Sequence, residues 1–168
     1  MIPLFKLFLD ICLLRRGPQD VPASATLFAM VLVASLLIDV IVVASRSPVD
    51  EALLMVLINT STMLLVVFIL LRILGHAARS LQTLTALLGT GVIISCLLLP
   101  MLAMNAIFAT ESSMFEFFLV AFNFWSLVII THILRHALEI TLFPAAVLAI
   151  GYVMLSFSLV NLFLPQAG

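Results

Sequence analysis

Charge is what this sequence has least of. Asp, Glu, Lys and Arg together make up 9% of its 168 residues, against about a quarter in an ordinary water-soluble domain. A surface that poor in charge cannot be hydrated, so a soluble globular fold is excluded. The net charge of −1 leaves no basic field for nucleic acid. Cysteine is scarce too: Cys12 and Cys96 stand alone, in no metal or redox spacing. The six glycines build no phosphate-cradling loop. A Gly-x-Ser-x-Gly elbow and paired intramembrane aspartates are also missing. No enzyme signature is present, and nothing calls for a cofactor.

Apolar residues fill the space that charge leaves. They account for 65% of the chain, and mean hydropathy is +1.38. Five apolar stretches, at about 24–45, 52–74, 82–103, 117–138 and 141–163, each approach the roughly 20 residues that a ~30 Å hydrocarbon layer requires. The breaks are polar or helix-breaking: Arg46 to Glu51, Gly75 to Ser80, Asn105 to Glu116, and Arg135 to Glu139. Pro144 falls early in the last stretch, where neighbouring helices satisfy the carbonyl it frees. The expected fold is an all-α transmembrane bundle of five spans in a single membrane domain.

Residues 1–16 are different. Pro3 to Leu14 is apolar but interrupted by Lys6 and Asp10, too short to span, and followed by its arginines. It carries no small-x-small cleavage site, so a signal peptide is not expected. An interfacial helix is, with Arg15 and Arg16 in its last turn and Gly17-Pro18 ending it.

Basic residues set an orientation. Lys6, Arg15, Arg16, Arg72, Arg79 and Arg135 fall on one side of a five-span chain and Arg46 on the other. Asp50, Glu51, Glu111 and Glu116 share the side of Arg46. The positive-inside rule then puts the N-terminus in the cytoplasm and Gly168 outside. Arg15, Arg16, Arg72, Arg79 and Arg135 are expected to anchor the cytoplasmic interface. A shift of sixty positions also aligns Glu51 with Glu111, Ile73-Leu74 with Ile133-Leu134, His76-Ala77 with His136-Ala137, and Gly91 with Gly151. This suggests a parallel two-helix repeat, spans 2–3 onto spans 4–5, about an axis along the membrane normal.

Two groups of residues are candidates for chemistry. Asp39 is the formal charge deepest in a span, and intramembrane carboxylates are functional candidates by default. It either snorkels toward Arg46 or turns inward, with Asn59 and Asn123 as its expected partners. Asn59, Ser61, Thr62, Ser95, Cys96, Asn123, Ser126, Ser156 and Ser158 lie at a similar depth. The layer is a ligand or proton site, or hydrogen-bond glue between helices. His132 and His136, one turn apart, and His76 at the same level form the second group. They are either metal or haem ligands or interfacial anchors, and Arg135 inside the pair would repel a cation. Gly89-Thr90-Gly91 and Gly151 read as small-residue surfaces for close helix contact, and the Phe-rich run from Phe115 to Trp125 as an interfacial aromatic belt.

The opening Leu13-Leu14-Arg15-Arg16-Gly17-Pro18-Gln19-Asp20-Val21-Pro22, followed by five spans with short loops, resembles the bacterial relatives of the Yip-domain family. The resemblance covers the whole chain as architecture and about ten residues as a motif. It implies a membrane adaptor in the inner membrane, acting through lipids, other integral membrane proteins or self-association rather than by catalysis. From the residues alone, an accessory subunit, a small oligomeric transporter using the Asp39 layer, and a haem or metal subunit all stay open.

The topology is testable. A phosphatase fused at Gly168 should be active outside the cytoplasm, and a fluorescent protein fused there should stay dark. The reverse pattern would overturn five spans with this orientation.

Overall fold

The computed structural model describes residues 2–108 and 113–164. Glu111 and Gly168 lie outside the described residues. The protein is all-α, with no strand among the described residues. A short helix α1 (Ile2–Cys12) precedes five long ones: α2 (Ala25–Ala44), α3 (Val49–Ile73), α4 (Ser80–Phe108), α5 (Ser113–Leu138) and α6 (Leu142–Phe163). All five are long and apolar enough to cross a bilayer. This is a membrane protein.

The helix ends follow local chemistry. Ser24 caps α2, its hydroxyl accepting the Leu27 N–H at 3.3 Å. Asp50 and Glu51 occupy the first turn of α3, where the helix dipole favours them. Pro144 is the third residue of α6, so its missing N–H falls in the first turn, where no intrahelical partner exists. The carbonyl expected to need a neighbour is therefore never stranded. Helices α4 and α5 run further into the 105–116 loop than hydropathy suggested, and α4 carries Pro100 in its interior.

Three helices close in the same way. At the end of α1, Leu14 is left-handed (φ 60°), and the Arg15 N–H reaches back to the Asp10 carbonyl at 2.9 Å. At the end of α3, Gly75 (φ 80°) is followed by a bond from the His76 N–H to the Leu71 carbonyl at 2.7 Å. After α5, Glu139 (φ 55°) is followed by one from the Ile140 N–H to the Arg135 carbonyl at 3.2 Å. These are Schellman closures, two of them made without glycine. They correct the N-terminal boundary: α1 stops at Cys12, and Arg15 and Arg16 follow the turn instead of filling the last one.

The five spans form a ring in the order α2, α3, α6, α5, α4 and back to α2, with α1 packed on α4. Its buried face is Leu7, Phe8, Ile11 and Cys12, while Phe5 and Leu13 point outward. The Phe8 ring lies so close over Gly89 that a Cβ there would collide with it. Gly89 is nine residues into α4, about 14 Å along its axis, so the expected surface helix is one tucked against the bundle. Gly91 and Gly151 have open space around them and make no such contact.

Residues that the sixty-position shift aligns sit in different surroundings. Ile73 is 75% exposed and its partner Ile133 fully buried. His76 follows the end of α3, while His136 lies inside α5. Helix α5 packs more extensively on α6 than α3 does on α4, since α3 packs mainly on α2 and α6.

Burial of α1 governs the reactivity of Cys12, whose thiol is pushed up to about 11 by desolvation. In a Cys96→Ser background, a water-soluble maleimide near neutral pH should leave Cys12 unmodified. Overpacking at Gly89→Leu costs about 1–3 kcal/mol, enough to raise Cys12 labelling roughly fivefold or more. Equal labelling of the two proteins would show that α1 does not dock there.

Candidate functional site

The intramembrane polar residues divide into two interhelical clusters and a set that faces elsewhere. Asp39 on α2 turns into the bundle and accepts a hydrogen bond from the Ser95 hydroxyl of α4 at 2.7 Å. Its partner is neither Asn59 nor Asn123, as the sequence had suggested. Nor does Asp39 snorkel to Arg46, whose guanidinium sits over the Phe115 ring at 5.1 Å, joining the α2–α3 turn to α5. The second cluster joins α3 to α6. The Asn59 side-chain oxygen accepts from the Tyr152 hydroxyl at 2.9 Å and the Ser156 hydroxyl at 2.6 Å.

Tyr152 was missed by sequence reasoning. The available signal was its spacing: the chain's one tyrosine stands one turn before Ser156, so both hydroxyls share a helix face.

The remaining members do not join. Asn123 is exposed, and its amide donates to the Leu119 carbonyl of its own helix at 2.8 Å. Thr62 bonds back to the Ile58 carbonyl at 2.7 Å and Ser158 to the Met154 carbonyl at 2.8 Å. Ser61 and Cys96 are exposed, and Ser126 is half-buried. A polar group in every span is therefore not a polar layer. Beneath Tyr152 the space between α3, α4, α5 and α6 is closed by Met63, Val67, Leu87, Leu134 and Leu148, leaving about 10 Å³. That is at the threshold for one water.

The histidines belong to the opposite end of the bundle, and they do not converge. His132 Nε2–H donates to the Arg16 carbonyl at 3.0 Å, binding the N-terminal segment to α5. His136 Nδ1–H donates to the His132 carbonyl at 2.8 Å, with the two rings 4.3 Å apart. His76 Nε2 lies 3.6 Å from Glu139, and its Nδ1 is buried with no partner among the described residues. Among those residues no group of three or more His, Cys, Asp or Glu could hold a metal ion.

Glu139 ties the α3–α4 loop to the α5–α6 turn. It meets Arg79 at 2.7 Å, and that guanidinium holds its carboxyl below the usual range. Gln82 strengthens the same end by donating to the Val21 carbonyl at 3.0 Å. Arg72 instead sits 5.7 Å over the Phe68 ring of its own helix.

Comparison of the chain with protein-family models, with curated proteins and with solved structures finds no match.

The Asp39–Ser95 bond yields a stability test. Asp39→Leu should lower stability in mild detergent by about 0.5–2 kcal/mol, the range for an interhelical hydrogen bond in a membrane bundle. Asp39→Asn keeps an acceptor for Ser95 and should melt close to wild type. Two variants indistinguishable from wild type would remove the bond from any account of the fold.

Proposed function

We propose that this protein is a non-catalytic adaptor, scaffold or accessory subunit of a membrane complex. The observation that carries this reading is how the intramembrane polar groups are used. Asp39 with Ser95, and Asn59 with Tyr152 and Ser156, hold one helix to another. That is the common use of such groups in membrane bundles. The turns at 45–48, 74–79 and 139–141 are short, so the helix faces form most of the surface that a partner could meet. The resemblance to the Yip-domain family supports the same assignment. We place the protein in a bacterial inner membrane, with its N-terminus cytoplasmic on the count of basic residues and its C-terminus periplasmic.

A small oligomeric transporter is the competing reading, favoured by the carboxylate of Asp39 within a span. A stable Asp39→Asn protein that loses its cellular role would move the assignment there. The histidines supply less support for a haem or metal subunit, since two of them bond to backbone carbonyls.

Gentle extraction tests the adaptor reading. The 18.3 kDa chain should migrate with additional protein mass, and the same partner should return in independent preparations. A lone monomer with no co-purifying protein would overturn it.

A further inference from the structure

Half of the arginines of the described bundle are already engaged. Arg46 covers Phe115, Arg72 covers Phe68, and Arg79 binds Glu139. Arg15 and Arg135 are exposed and carry no ion pair or ring contact among the described residues. Arg16 meets Asp10 only at 3.7 Å, with 54% of its side chain exposed. The one other carboxylate on this segment, Asp20, accepts the Gly17 N–H at 3.2 Å.

Arg15 and Arg16 stand far from Arg135 in sequence, and a single bond ties the segment that carries them to the helix that carries Arg135. The His132 ring holds the Arg16 carbonyl at 3.0 Å. Arg135 lies three residues beyond His132, a neighbouring position on the α5 surface. The cluster stands at the end of an apolar span of hydropathy 2.1, the level at which headgroups begin. Leu13, 46% exposed, follows α1 two residues before Arg15, and Phe5 on α1 is 61% exposed.

We propose that Arg15, Arg16 and Arg135 form a binding site for the phosphate headgroup of an anionic phospholipid. Guanidinium groups match phosphate oxygens in geometry and charge. Free phosphate would satisfy the arginines alone. A lipid also covers the apolar face of α1 with its acyl chains, which is why the structure favours it. The site does not depend on the adaptor reading, because it is tested on the isolated chain.

The experiment titrates purified full-length protein, washed free of lipid in detergent, with phosphatidylglycerol or phosphatidylcholine and reads bound lipid by native mass spectrometry. Phosphatidylglycerol should bind more tightly. Each basic residue near an anionic headgroup contributes about a fivefold factor, so Arg15→Gln with Arg135→Gln should weaken it roughly 25-fold. Arg72→Gln should leave it unchanged, and the double lysine variant Arg15→Lys with Arg135→Lys should retain most of it. If the double glutamine variant melts below wild type, Arg135→Gln alone, at an exposed helix position, carries the comparison with about a fivefold loss. Equal binding of the two lipids, or no loss in these variants, overturns the proposal. Inorganic phosphate displacing the lipid at equal concentration would also overturn it, by making phosphate alone the ligand.

Discussion

Everything else in the bundle leans on the first half of α4. Residues 83–90 are buried without interruption, two turns closed on every side by α1, α2 and α5. A helix sealed all round can present nothing unsatisfied. Its three threonines there turn their hydroxyls back onto their own helix: Thr83 to Arg79, Thr85 to Leu81 and Thr90 to Ala86. The neighbours then meet methyl groups, small residues and leucines, and the Cys12 thiol of α1 donates to the Thr90 carbonyl at 3.9 Å. Gly89 supplies the closest approach, and Phe8 fills it.

Outside that sealed segment, the two ends of the bundle are built differently. At the end with Arg79, backbone turns are stitched by side chains from other elements: Glu139 to Arg79, Gln82 to the Val21 carbonyl, His132 to the Arg16 carbonyl. These bonds join segments far apart in sequence, so the loops there are part of the tertiary structure. Deeper in, the ring is held by two separate hydrogen-bonded clusters on opposite helix pairs, α2 with α4 and α3 with α6.

What was legible in the sequence follows from what a bilayer demands. Length and hydropathy are enough to locate spans, because each must cross the same thickness with its backbone satisfied. Ser24, Pro48 and Gly75 mark boundaries for local reasons. Rotation about each helix axis was not legible. These spans are apolar on all faces, so no polar stripe distinguishes the lipid side from the bundle side. Asn123 and Ser95 look alike in sequence, yet one faces outward and the other meets Asp39. For the same reason Ile73 and Ile133 matched in the alignment and differ in burial. The end of α1 was misplaced because a leucine in the left-handed region gives no composition signal.

The docking of Phe8 on Gly89 also imposes an order on biogenesis. Those residues are 81 positions apart in the chain (89 − 8). Synthesis proceeds from the N-terminus at about 5–20 residues per second, so roughly 4–16 s separate their appearance. During that interval α2 and α3 are already made while the groove for α1 does not yet exist. The first helix must therefore wait, amphipathic and unpartnered, and its seating on α4 comes only after the third span has emerged.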